Sequence, residues 1–413
     1  MAGVDRQTCD GFDRQDPLAR FRDEFVIPEG VIYLDGNSLG ALPRATGPRL
    51  QRVIAEEWGI GLIRSWNAAH WIDAPRRVGD KIARLIGAQP GEVIVADSTS
   101  VDLFKLLAGA LRLQSGRHFI LTEAQNFPTD LYVAEGLVDL LGGRHALRVV
   151  DRAELVGAVD SSVAVLMLTH VDYGSGLIHD MAALTAAAHA HGALMLWDLS
   201  HSAGAVPVEL TGHQVDLAVG CGYKYLNGGP GAPAYAFIRR SLQDAVPSPL
   251  SGWMGHAAPF DFEGHYRPAP GIVRQLAGTP PILSLAALEV GVDLWLRVDQ
   301  EEVRRKSMAL GDLFIRLVDE RCDGLGLEVA SPRERERRGS QVSLRHRDGY
   351  RVMRALIDRG VIGDFRTPDL MRFGLTPLYT RYVDVWDAVD ALGEVLASGA
   401  FERPEYGTRL AVT

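Results

Sequence analysis

The chain is short of cysteine: its 413 residues include only Cys9, Cys221 and Cys322. So few, and an odd number, make no disulfide framework, and a reducing compartment fits. No apolar run approaches the length of a membrane span. The segment Met1 to Pro17 is polar and lacks the apolar core of a signal peptide, so a cytoplasmic protein with no membrane partner is expected. Dense Lys/Arg tracts are missing and the formal net charge is −9, which argues against nucleic acid as a partner. The one charge cluster, residues 333–338, alternates in sign and reads as a solvated loop. There is no Gly-x-Gly-x-x-Gly after the first strand and no Walker lysine motif, which speaks against dinucleotides and nucleoside triphosphates. No metal site is expected.

What is present is the composition of an ordinary globular protein, 47% hydrophobic and 23% charged, with 44 Gly and 21 Pro. A chain of this length buries a large core and divides into a large and a smaller domain. An amphipathic helix is expected around Pro17–Phe25, and residues 45–87 read as helical in two pieces, broken near Ser65–Asn67 and at Asp73–Pro75. From residue 92 short apolar runs alternate with helical segments. Strands are expected at Val93–Ala96, Phe119–Thr122, Leu147–Val150, Val163–Thr169, Ala193–Trp197, Val215–Gly220 and Ala234–Ile238. Helices fall between them at Val101–Leu113, Thr129–Leu141, Arg152–Ala158 and Met181–His191. That rhythm predicts an α/β fold with a mostly parallel sheet. A long helical stretch follows Pro280-Pro281, from Leu283 to Leu317, and then a second, smaller α/β domain. The expected division is 1–45 as an N-terminal segment completing the small domain, 46–285 as the large domain and 286–413 as the small one.

The chemistry gathers in residues 193–235. One apolar run ends on Asp198, with His201 three residues on, and the next delivers Tyr223-Lys224-Tyr225 onto a Gly- and Pro-rich loop. A carboxylate and a lysine at the ends of core strands are costly to bury unpaired. Pyridoxal phosphate needs that pair, since its aldehyde takes a lysine and its ring nitrogen an Asp. Its phosphate needs an anion cup, and Asp97-Ser-Thr-Ser100 puts hydroxyls at a helix start directly after a strand; simple helix capping by Ser98 or Ser100 is the plainer alternative. Asn126-Phe-Pro-Thr-Asp130 opens the next helix, where Phe127 can stack on a planar ring and Thr129 or Asp130 can cap. Thr169 ends another strand. Tyr223 can bond the phosphate or give a proton, and Arg372 has the bidentate chemistry an amino-acid carboxylate asks for. Trp253 and Thr279 stand in turn-rich loops. Cys221 reads as a small buried hydrophobe with no partner pattern for a catalytic thiol.

Taken together, Leu34-Asp-Gly-Asn-Ser-Leu-Gly40, Thr99-Ser100, Phe127-Pro-Thr-Asp130, Asp198-Leu-Ser-His201, Gly222-Tyr-Lys-Tyr-Leu-Asn-Gly228, Ser251-Gly-Trp253, Gly278-Thr-Pro-Pro281 and Arg372 resemble the kynureninases, which are fold-type-I pyridoxal phosphate enzymes. The matching pieces run from residue 33 to about 380 and are specific as a set. The resemblance implies that Thr99, Ser100 and Tyr223 hold the phosphate, with Phe127, Pro128, Thr129 and Asp130 beside the cofactor and Phe127 stacked on its ring. Thr169 and His201 would flank the ring, Asp198 would pair with its nitrogen, and Lys224 would carry it as a Schiff base. Trp253 and Thr279 would reach the phosphate from the other subunit of a homodimer, and Arg372, Asn37 and Trp66 would meet the substrate. The implied reaction is hydrolysis of L-kynurenine to anthranilate and L-alanine in tryptophan degradation, a route that also feeds NAD biosynthesis. Trp66 and Thr279 lean the expectation toward kynurenine over its 3-hydroxy form. Ser175 stands where the family pattern has Thr, and the hydroxyl survives. The same fold also hosts cysteine desulfurases and aminotransferases. A desulfurase usually has His before its lysine and a reactive Cys on a mobile loop, whereas Tyr223 precedes Lys224 here. A non-catalytic cofactor binder is the remaining alternative, and both Lys224 and Arg372, whose loss it would favour, are present.

Overall fold

The alternating apolar runs assemble into a seven-stranded sheet in the computed structural model, which describes residues 4–410. Its strands are β1 (Val93–Ala96), β2 (Phe119–Glu123), β3 (Ala146–Val150), β4 (Val163–Thr169), β5 (Leu194–Asp198), β6 (Leu217–Gly220) and β7 (Ala234–Ile238). Their spatial order is β1-β7-β6-β5-β4-β2-β3. All neighbours are parallel except β7, which runs antiparallel to both β1 and β6. The central strands are apolar along their whole length because helices cover both faces. Along β5 the pleat sends Met195 and Trp197 into one core and Leu194 and Leu196 into the other. The first core is closed by α2 (Ala74–Leu85), α5 (Met181–Ala190) and α6 (Ile282–Trp295), and the second by α3 (Thr99–Leu113) and α4 (Pro128–Leu140).

A second sheet, antiparallel throughout, has the order β8 (Glu328–Val329), β9 (Gln341–Arg345), β11 (Leu370–Gly374), β10 (Asp364–Arg366). It packs with α7 (Gln300–Arg321), α8 (Gly349–Ile357) and α9 (Tyr382–Ala397) around a third core, which also takes in Cys9 and Leu34. The N-terminal segment serves both bodies, because Leu18, Phe21, Phe25 and Ala41 sit in the large-sheet core. Residues 32–33 pair in parallel with 361–362, and Asp35 bridges to Gly374.

Several local expectations differ from what forms. The first helix is α1, Arg6–Gln15, capped by the Asp5 side chain on Thr8 N–H, and Pro17–Phe25 gives only a 3₁₀ turn over Ala19–Glu24. The capping aspartate fixes the start, and Pro17 lies just past the end, where it cannot continue the helix. Arg152–Ala158 is no helix beyond a turn at Arg152–Glu154. So short a stretch forms one only with tertiary support, and the Arg152 side chain is instead drawn to Glu123 and Asp172. The stretch Leu283–Leu317 is two helices, because Asp299 caps the start of α7. Between Thr46 and Leu85 the chain breaks more often than expected, passing through a π-helical turn at Val53–Trp58 and a 3₁₀ turn at Leu62–Arg64.

Candidate active site

Ligands in open α/β sheets sit at the carboxyl ends of the parallel strands, and the polar residues gather there. Thr169 and Asp198 end β4 and β5 directly opposite one another. Lys224 follows β6 by four residues, on the loop to β7. Together with Thr99, Ser100, Phe127, Thr129, Asp130, Tyr173, Ser200, His201 and Tyr223 they line a cavity of about 250 Å³.

At one end of it lies the start of α3. Asp97 turns the chain with a positive φ of 47°, a conformation its short polar side chain tolerates. Ser98 is then extended and accepts from Val101 N–H at 3.4 Å, so Ser98 is the cap and Thr99 and Ser100 are left to face the cavity. Beneath this turn a fully buried Lys105 donates to Asp97 at 2.6 Å and to the Gln275 carbonyl at 2.8 Å, and pairs with buried Asp102 at 2.8 Å.

At the other end two carboxyl groups face one amine. Asp198 is buried and its Oδ1 accepts from Ser200 N–H at 2.7 Å. Burial pushes its carboxyl up, an effect that Ser200 and the Lys224 charge oppose. Asp130 is pushed well above the usual carboxylate range by burial and by the Asp198 charge. Lys224 Nζ lies 3.0 Å from His201 Nε2 and over the rings of Phe127 and Tyr223, at 5.9 and 5.8 Å. The His201 ring is buried and pushed well below its ordinary value, first by burial and then by the Lys224 charge, so it is neutral. Phe127 meets Tyr173 edge-on at 5.1 Å. Burial also raises the Tyr223 hydroxyl, which therefore stays protonated at neutral pH.

Arg372, on β11, is 2% exposed and reaches the same region, donating to the Tyr173 carbonyl at 2.7 Å. Asn37 is buried beside Gly374, with its Nδ2 3.5 Å from Gln341 Oε1. Pro128 is the first residue of α4 and does not line the cavity. Trp66, Trp253 and Thr279 are not brought to it either. Trp66 packs edge-on against Trp71, Trp253 is 38% exposed against Phe260, and Thr279 is exposed.

Residues that sequence reasoning did not single out are Tyr173, Ser200, Asn126, Ser38 and Asp364. Asn126 accepts from Thr169 Oγ1 and Phe127 N–H, and so ties two strand ends together. Its place next to Phe127 was the available signal. Ser38 lies inside the Leu34–Gly40 motif, but nothing local ties it to Arg372. Ser175, the residue that departs from the family pattern, uses its hydroxyl on Asp172 at 3.0 Å.

Solved structures with this fold include a cysteine desulfurase from Thermococcus onnurineus NA1, with a TM-score of 0.77 and 19% identity over 92% of this chain and 98% of that one. The cysteine desulfurase CsdA of Escherichia coli matches with a TM-score of 0.75 and 17% identity, over 92% and 98%. The fold is thus that of the fold-type-I pyridoxal phosphate enzymes, and the lysine stands at its strand ends. Over its full length the chain is 55% identical to the kynureninase of Pseudomonas fluorescens and 54% identical to that of Burkholderia pseudomallei strain K96243, covering 99% of each chain in both cases. Residues 303–392 match the kynureninase C-terminal domain. The chain belongs to the kynureninase family.

Proposed function

We propose that this protein hydrolyses the Cβ–Cγ bond of L-kynurenine, and less readily that of 3-hydroxy-L-kynurenine, to give anthranilate and L-alanine, with pyridoxal phosphate as cofactor. The full-length 55% identity to a kynureninase carries the reading. The cavity fits the cofactor: two buried carboxyl groups, both pushed up, face a single lysine, a donor set that a protonated pyridine nitrogen would complete. Asp198 would take that nitrogen, Thr99, Ser100 and Tyr223 the phosphate, Phe127 the ring face, and Lys224 the aldehyde carbon. When bound, the cofactor supplies a carbonyl that captures the substrate amine and a ring that accepts the electron pair left at Cα.

The chain's own groups then move protons. Lys224 Nζ takes the Cα proton. Water adds to Cγ, and the Cβ–Cγ bond breaks. Cγ leaves as the carboxylate of anthranilate, and Cβ takes a proton from Tyr223 Oη to become the methyl of alanine. The proton released by the added water restores Tyr223, and Lys224 Nζ returns a proton to Cα. His201, neutral and 3.0 Å from Lys224 in the cofactor-free site, accepts from that amine whenever it is not bonded to the cofactor. Arg372 would receive the α-carboxylate and Asn37 would lie along the substrate.

The finer parts of the reading are a cytoplasmic homodimer acting in tryptophan degradation, with the domain division 1–45, 46–285 and 286–413. Among the described residues no helix is long and apolar enough to cross a membrane. Ile54, Trp58, Ile60, Leu62 and Ile63 form an exposed apolar face that suits a second copy of the chain. Trp66, Trp253 and Thr279, which lie outside their own chain's cavity, would then complete the partner's site. The test is to add L-kynurenine to the cofactor-loaded protein and to follow anthranilate fluorescence with alanine quantified alongside. Equimolar products are expected, and no anthranilate from protein that has bound the cofactor would overturn the assignment.

A further inference from the structure

Arg372 is held more firmly than a residue waiting for a ligand needs to be. On the small sheet, Asp364 of β10 stands directly opposite Arg372 of β11 in the antiparallel register. Arg372 Nε donates to Asp364 Oδ1 at 2.7 Å, and Nη2 donates to Oδ2 of the same carboxylate. Both side chains are buried, and this two-point contact fixes the plane of the guanidinium. Its other edge carries only neutral acceptors. Nη2 also reaches Ser38 Oγ at 3.0 Å, and Nη1 reaches the Tyr173 carbonyl at 2.7 Å. Ser38 in turn donates to Asp364 Oδ2 at 2.8 Å.

We infer that Asp364 is a positioning residue that aims Arg372, so that the seat for the substrate carboxylate is a cross-strand Asp–Arg unit and not a lone arginine. This rests on the reading that Arg372 receives that carboxylate. Asp364 keeps the Nε/Nη2 edge, and the Nη1/Nη2 edge is the one presented to the substrate. A charged carboxylate competes well there, because it brings an opposite charge and a two-oxygen match to the guanidinium fork that a single hydroxyl or carbonyl lacks. Asp364 also covers the buried charge while the seat is empty, which an unpaired guanidinium at 2% exposure would make costly. Ser38 bonds both members of the unit from the N-terminal segment.

The experiment uses cofactor-loaded wild type, Asp364→Asn, Asp364→Glu and Arg372→Ala. Two competing ligands are compared: a non-hydrolysed kynurenine analogue and the matching amine that lacks only the α-carboxylate. Asp364→Asn is expected to raise KM for L-kynurenine by ~10-fold with kcat within ~3-fold of wild type, the loss of one well-aimed charged contact. The carboxylate-bearing ligand should weaken by the same factor, and the amine should bind as before. Equal weakening of both ligands, or of neither, overturns the proposal. If Asp364→Asn does not fold, Asp364→Glu decides: it keeps the charge but shifts the aim by one methylene, and a wild-type KM in it refutes the idea. Arg372→Ala separates the two readings. It must bring the affinities of the two ligands together, and if it does not, the carboxylate assignment itself is wrong whatever Asp364→Asn does.

Discussion

His201 Nε2 and Lys224 Nζ lie 3.0 Å apart in the cavity, the imidazole buried and the lysine half-buried. The lysine's charge adds to burial in holding the imidazole neutral, and the neutral imidazole accepts a hydrogen bond from the amine. A lysine placed this way is held before it reacts.

Removing the amine should therefore do two things. Lys224→Ala is expected to lower kcat by at least ~10³-fold, as loss of the group proposed to move the Cα proton implies. In the cofactor-free protein it should also raise the pKa of His201, because the second cause of its depression is gone. Anthranilate fluorescence reads the first effect and imidazole NMR titration the second; an unmoved His201 titration would mean that burial and the charges of Arg372 and Arg366 hold it neutral without the lysine.

Under the turn that opens α3, Lys105 bonds Asp97, Asp102 and the Gln275 carbonyl with no exposure of its own. Breaking a buried ion pair from one side strands the other charge. Lys105→Met should cost about 3 kcal/mol or more of unfolding free energy, and the double change Lys105→Met with Asp102→Leu should return a large part of it. Urea denaturation of the two proteins checks this.

Glu123 accepts from both Arg152 and His179, and although burial opposes it, these bonds hold its carboxyl at about 2. A carboxyl with a depressed folded value stabilises the protein above its unfolded value of 4.5 and loses that contribution as pH falls toward 2. Glu123→Gln should thus cost about 3 kcal/mol at pH 7, and the gap to wild type should narrow as denaturation is measured at pH 4 and below.

Asp35 has the opposite sign. Burial and the neighbouring Asp364 charge raise its carboxyl from 3.8 to about 7. The folded state therefore holds a proton that the unfolded chain has released, and wild type loses stability as pH rises through that window. Asp35→Asn is expected to be little different near pH 4 and progressively more stable than wild type toward pH 8. Parallel pH–stability curves for the two proteins would rule this out.

Gly40 passes so close to the lysine loop that an added β-carbon would lie 2.2 Å from the Lys224 carbonyl oxygen, while its N–H bonds the Tyr223 carbonyl at 2.8 Å. Backbone cannot swing aside as a side chain can. Gly40→Ala should displace the loop, costing ~1–3 kcal/mol of stability and a larger share of cofactor affinity, which equilibrium dialysis measures.

The parts of this protein that could be read from its sequence are those in which neighbours along the chain decide the structure. Apolar runs gave all seven strands of the large sheet within a few residues, and Asp198, Thr169 and Lys224 then fell at strand ends, where the fold collects ligands. Capping residues and short helical stretches misled at Pro17–Phe25, at Arg152–Ala158 and at Asp299, because one side-chain bond outweighs a periodicity spread over few residues. The Asp364–Arg372 pair was out of reach for another reason: it depends on which strand lies beside which, and on a register that no local pattern encodes. Trp66, Trp253 and Thr279 rested on family resemblance alone, and within one chain they stand apart from the lysine.

The strap formed by residues 35–40 touches both halves of the site, with Ser38 on Arg372 and Gly40 on the lysine loop. A ribosome makes Ser38 334 positions before Arg372, so this end of the strap must wait without its partner while the chain between them is made. The large sheet can close before then, because its strands all lie between residues 93 and 238. Catalytic competence in a newly made molecule therefore arrives as one late event, after the bulk of the secondary structure has formed.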